Sequence, residues 1–162
     1  MKKKSVTIHY LEYDSQEELL PEDRKLLEKA RESSLNAYAP YSSFFVGAAV
    51  MLENGIIVTG NNQENAAYPS GLCAERVALF AASANHHDIP VVAIAITARS
   101  DHGTIANPIT PCGACRQVLA EYETHHQRAI RMIMAGERGK IYVFENVSSV
   151  LPFKFDKAQL KR

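Results

Sequence analysis

The chain has three cysteines, and their neighbours suggest a use for them: Cys73-Ala74-Glu75 is followed at a distance by Pro111-Cys112-Gly113-Ala114-Cys115. Three thiolates suit one zinc ion. A zinc with three protein ligands keeps its fourth position for water or substrate, whereas structural sites are usually closed by four ligands. The count therefore points to catalysis. Cys112 and Cys115 form a chelating pair that a helix start can aim at one metal. Alone, the same pair serves equally well as a redox dithiol or as two core cysteines. Cys73 tips the balance, because the redox reading leaves it idle and the metal reading uses every cysteine. Glu75 stands where a carboxylate can take a proton from zinc-bound water, whose pKa falls to about 7, and pass it to a substrate. Without a metal nearby it would be only an acid complementing a helix dipole. Arg76 lies in an apolar stretch, where its guanidinium can donate to the cysteine sulfurs and offset their charge. His86, His87, His125 and His126 occur as adjacent pairs in polar stretches and read as surface residues, not ligands.

These residues need a frame to bring them together. Pro21 with Glu22 and Asp23 opens a helix. Leu26, Leu27, Ala30, Ala37 and Tyr38 fall on or near one of its faces, and Pro40 marks its end. Phe44 to Leu52 is apolar and β-prone, Asn54-Gly55 is a strong hairpin signal, and Ile56 to Gly60 returns as the partner strand. Helices are expected from Cys73 through Ala82 and from Cys112 to Tyr122, and strands over Val91–Thr97, Arg131–Ala135 and Lys140–Phe144. The alternation of Val6, Ile8 and Tyr10 reads as a strand or an extended arm. Helices interleaved with a hairpin and single strands argue for a mixed sheet packed between helices. Both cysteine segments then sit at helix starts, where each N-terminus offers roughly half a positive charge to the thiolates.

Composition narrows the partner. At 162 residues and 46% hydrophobic content the chain is one domain's worth, with ample material for a core. Lys plus Arg equals Asp plus Glu at 18 each, so no large positive field exists to hold a polyanion. A small neutral molecule is the expected ligand, with no nucleic acid and no membrane. Three cysteines do not make a disulfide framework, and Met1–Lys4 is not followed by a signal-peptide core, so a reducing cytoplasm is expected. Asn62, Glu64 and Asn65 would be ordinary turn formers on spacing alone. Asn and Glu together also suit sugar hydroxyls, and Phe44 and Phe155 are either core residues or faces on which a pyrimidine can stack.

From Ala37 onward the chain resembles the small homotetrameric class of cytidine deaminases. The likeness is carried by Ala37-Tyr38-Ala39-Pro40-Tyr41-Ser42, Phe44 with Val46-Gly47-Ala48-Ala49, Asn62 with Glu64-Asn65-Ala66, Cys73-Ala74-Glu75-Arg76, Pro111 through Gln117, and Leu151-Pro152 with Phe155. The resemblance implies a three-layer α/β/α fold with a mixed, roughly five-stranded sheet between helices. It would form a single domain over 1–162, with 1–20 as an N-terminal extension. It also implies one zinc per chain on Cys73, Cys112 and Cys115, with Glu75 protonating N3 of the base and then shuttling a proton to the departing ammonia. Substrate contacts would come from Phe44, Asn62, Glu64, Tyr68, Ala74 and Phe155, with Arg76 moderating the thiolate charge. The Tyr68 segment and Phe155 would reach across subunit boundaries of a homotetramer with shared active sites. The implied reaction is deamination of cytidine and 2′-deoxycytidine in pyrimidine salvage. Two readings compete with it: deamination of a related aminopyrimidine nucleoside such as blasticidin S, and a non-catalytic zinc-stabilised binding module, which would have no need of Glu75. Gln63, where an aliphatic residue is expected, and the polar loop from Ser100 to Thr110 depart from the family pattern.

Overall fold

A computed structural model describes residues 1–160. Its centre is a six-stranded mixed sheet: β1 (Leu11–Tyr13), β2 (Phe44–Leu52), β3 (Ile57–Asn61), β4 (Val91–Ser100), β5 (Arg131–Ala135) and β6 (Ile141–Phe144) lie in the order β1-β6-β5-β4-β2-β3. The β4–β5 pair is parallel and every other pair is antiparallel. Three helices cover it: α1 (Pro21–Ser34), α2 (Ala74–Asn85) and α3 (Gly113–His126).

Side chains that alternate along each strand divide the core into two halves. On one face Leu26, Leu27 and Ala30 of α1 meet Ala49, Ala93, Ala95 and Ile133. On the other, Ala78, Leu79 and Ala82 of α2 and Leu119 of α3 meet Val50, Ile94, Ile96 and Met132. The three layers of the expected α/β/α fold are present. Both helices that begin at cysteines lie on the same face of the sheet, and this brings their N-termini together.

Boundaries differ from the sequence reading at several points: α2 runs on to Asn85, α3 to His126 and β4 to Ser100. Helix α1 stops at Ser34, so Ala37 and Tyr38 lie beyond it and Pro40 is not its terminator. Ser34 Oγ donates back to the Arg31 carbonyl at 2.7 Å, and the N–H groups of Asn36 and Ala37 close on Ser33 and Ser34. The chain is then drawn away, because the Tyr38 N–H donates to the Asn62 carbonyl at 3.0 Å and its own carbonyl accepts the Glu64 N–H at 2.9 Å. At the N-terminus the strand is Leu11–Tyr13, a sixth strand paired with β6, and Val6–Tyr10 ahead of it is exposed and outside any strand. Lys140 anchors β1 through Glu12 and Asp14, and the Tyr10 ring stacks on Phe144 with centroids 5.2 Å apart. The hairpin turn falls at Asn54-Gly55 as the sequence suggests, with Gly55 at φ 84°, although β3 begins one residue later than expected.

Gly60 in β3 lets α2 come down onto the sheet. A Cβ there would lie 2.3 Å from the Ala78 nitrogen and 2.8 Å from the Ala74 carbonyl oxygen, and neither backbone atom can yield. Gly60→Ala is therefore expected to push α2 outward, lowering stability by about 1–3 kcal/mol and loosening metal binding at its first turn. Denaturant midpoints and zinc content measured on the same preparations check this.

Candidate active site

Cys73 and Cys112 occupy equivalent places. Each is the residue immediately before a helix, with extended backbone, and neither side chain makes the hydrogen bond that usually caps a helix start. Both sulfurs are therefore free to face a common point. Cys115 follows one turn into α3 and is fully buried. The Cys73 and Cys112 sulfurs are 3.9 Å apart, those of Cys112 and Cys115 are 3.6 Å apart, and all three lie within 4.8 Å of one another. Sulfurs bound at 2.3 Å to a tetrahedral zinc sit about 3.8 Å apart, so the trio has the size that zinc requires. With three ligands from the chain, a fourth coordination position remains for a non-protein group.

The surroundings are arranged for negative charge. The opening turns of α2 and α3 direct their unpaired amides and the positive ends of their dipoles at the sulfurs. Arg76 Nη2 approaches Cys73 Sγ at 3.8 Å. The neighbouring Cys115 thiol, helped by Arg76, draws the Cys73 thiol down to about 5. The nearness of Cys73, together with burial, pushes the Cys115 thiol upward. Contact with the Cys73 sulfur tightens the hold of Arg76 on its proton. Glu75, in the first turn of α2, is only 5% exposed, and burial raises its carboxyl above the ordinary range. A carboxyl so placed holds a proton more tightly than an exposed one, which suits a group that both takes and gives one.

A cleft of about 1030 Å³ opens beside this cluster. Cys73, Cys112, Glu75 and Arg76 line it, as do Phe44, Asn62, Glu64 and Tyr68. Asn62 also braces β2: its Oδ1 accepts the Val46 N–H at 2.8 Å and its Nδ2 donates to the Phe44 carbonyl at 2.9 Å. A donor and an acceptor position of its amide remain after these two bonds. Glu64 accepts the N–H groups of Tyr41 and Ser42, and the hydroxyl of Ser42 lowers its carboxyl further than either of them. The polar loop after β4 supplies Pro108, Ile109 and Thr110 to the lining. That loop is fastened to the β5–β6 turn, where the Ile105 N–H donates to Glu137 at 2.9 Å.

Two further candidates are not among the residues that line this chain's cleft: Ala74 is fully buried, and Phe155 is 55% exposed. The backbone of Phe155 is held on both sides by the Gln117 amide, which donates to its carbonyl at 2.7 Å and accepts its N–H at 3.2 Å. Sequence reading gave no role to Arg116, which donates to the carbonyls of Pro111 and Val150 and so fixes the approach to Cys112. Its place directly after Cys115 was visible, but its distant carbonyl partners were not. Of the paired histidines, His87 and His125 are exposed and His86 and His126 partly so, and none belongs to the sulfur cluster.

Comparison with known proteins agrees with this geometry. The family model described as the cytidine and deoxycytidylate deaminase zinc-binding region matches residues 20–131. A cytidine deaminase of Halalkalibacterium halodurans is 48% identical over 101 residues, covering 61% of this chain and 71% of the relative. One from Sporosarcina psychrophila is 43% identical, covering 60% and 68%. The crystal structure of cytidine deaminase from Burkholderia pseudomallei superposes with a TM-score of 0.70 at 38% identity, covering 81% of this chain and 97% of that one. Since the matched region exceeds half of the sequence and takes in Cys73, Cys112, Cys115 and Glu75, the chain belongs to the family of zinc-binding cytidine and deoxycytidylate deaminases.

Proposed function

We propose that the protein catalyses hydrolytic deamination of cytidine and 2′-deoxycytidine, with water consumed, ammonia released and the uridine nucleosides formed. One observation carries the reading: three sulfurs lie at zinc spacing, and two of them, Cys73 and Cys112, line the same cleft as a buried carboxyl, Glu75. Zinc held by Cys73, Cys112 and Cys115 would supply the Lewis acidity that brings a water close to ionisation at neutral pH. Glu75 takes the proton released from that water, gives it to N3 of the base, and then carries a proton to the departing amine. Its raised affinity for a proton suits both directions of transfer. Phe44 offers its ring to the pyrimidine, and Asn62 and Glu64 face the sugar. Arg76 keeps the sulfurs from accumulating too much charge.

The reading extends to a single domain over residues 1–162, of which 161–162 lie outside the described residues, with 1–20 as an extension. It places the enzyme in the cytoplasm, in pyrimidine salvage, as a homotetramer whose neighbours complete each active site. Support for the oligomer comes from the exposed rings of Tyr68, Phe153 and Phe155. No helix of the described residues is long and apolar enough to cross a membrane.

Purified protein is expected to contain one zinc per chain and to convert cytidine to uridine, followed by the change in ultraviolet absorbance. A zinc-loaded sample that left the spectrum unchanged would refute the assignment. Glu75→Gln should keep its zinc and its fold while kcat drops about 10²- to 10⁴-fold, which metal analysis and circular dichroism beside the rate assay would separate from unfolding. Arg76→Gln is expected to weaken zinc binding about 10- to 100-fold, measured by competition with a chromogenic chelator.

A further inference from the structure

Glu64 does not stand free in the cleft. Its Oε2 accepts the N–H groups of Tyr41 at 2.9 Å and Ser42 at 3.2 Å, and its Oε1 accepts the Ser42 hydroxyl. Ser42 Oγ accepts in its turn the N–H of Phe44 at 3.1 Å. The Phe44 carbonyl then takes the Asn62 amide at 2.9 Å. Glu64, Ser42, Phe44 and Asn62 thus form one hydrogen-bonded frame, and all four line the cleft. Ser43, between Ser42 and Phe44, is in the left-handed region at φ 50°, an uncommon conformation for a residue with a side chain and one that collects at functional sites. An ionised carboxylate has about four lone-pair positions. Three are taken by the turn, which leaves one.

We propose that Ser42 is a positioning residue of the deamination reaction: by filling one position on Glu64 Oε1 it fixes the carboxylate so that its single open acceptor receives one sugar hydroxyl of the nucleoside. The proposal rests on the reading of Glu64 as a sugar contact. Ser42 also joins the two ends of the substrate, since the atom that steers Glu64 is bonded to the backbone of Phe44, the ring offered to the base. Its donation helps keep Glu64 in the anionic form that a hydroxyl donor prefers.

The test compares cytidine with 2′,3′-dideoxycytidine, which lacks both candidate hydroxyls, on the zinc-loaded wild type, Ser42→Ala, Ser42→Thr and Glu64→Gln. For Ser42→Ala the expected result is a loss in kcat/KM of about tenfold or more on cytidine, the size of a hydrogen bond to a charged group, taken mainly in KM. On the dideoxy substrate the change should stay within about twofold, and Ser42→Thr should restore most of the cytidine activity. Equal losses on both substrates would mean that Ser42 merely shapes the turn, and would overturn the proposal. If Glu64→Gln discriminates between the substrates and Ser42→Ala does not, the proposal fails while Glu64 keeps its sugar role. If neither discriminates, the sugar role fails as well. Should Ser42→Ala lose its zinc, Ser42→Cys, of similar size but a weak donor, gives the same comparison.

Discussion

Three sulfurs gathered within 4.8 Å of one another concentrate negative charge at one point, and most of the surrounding structure is organised to tolerate it. A divalent zinc offsets two of three thiolate charges. Two helix N-termini, each worth roughly half a positive charge, offset much of the remainder, and Arg76 makes the balance favourable. This requirement explains why Cys73 and Cys112 both sit just ahead of helices and why α2 and α3 share a face of the sheet. The contact at Gly60 serves the same end, because α2 reaches the sulfur cluster only by lying close on β3.

The cleft beside the sulfurs has two kinds of wall. Near the metal ligands, groups are selected for charge and proton affinity: Glu75 is buried and holds its proton more tightly, and Cys73 gives its proton up easily. Farther along, Asn62 and Glu64 are committed first to the backbone of β2 and of the turn before it. Residues expected to recognise substrate therefore also hold the wall on which they stand. Substituting one of them moves the other, so their separate contributions will not add.

The chemistry was the most legible part of the sequence, because it depends on residue types at short spacing. Cys112 and Cys115 one helical turn apart, Glu75 beside Cys73, and the Asn54-Gly55 turn are all local statements, and each has its counterpart in the structure. The places where local reading failed are those decided by distant partners. Apolar spacing carried α1 on to Tyr38, but the backbone of Tyr38 is claimed by Asn62 and Glu64. The alternation from Val6 suggested where a strand starts, yet pairing begins only at Leu11, where β6 is within reach and Lys140 can meet Glu12. Arg116 depends on the Val150 carbonyl, 34 residues away, and nothing near it in sequence announces that partner.

The short strand β1 has a consequence for solubility. Its neighbour β6 reads Ile141-Tyr142-Val143-Phe144, an uncharged run of β-branched and aromatic residues, and would otherwise form the border of the sheet with its amides and carbonyls unpaired. Such a border is a template for other chains to add onto, and runs of this composition readily stack into fibrils. Leu11–Tyr13 occupies that border with three residues, flanked by the charges of Glu12, Asp14 and Lys140. The segment ahead of α1 thus acts as a guard against self-association through the sheet, protecting a surface on the side of the molecule away from α2 and the cleft.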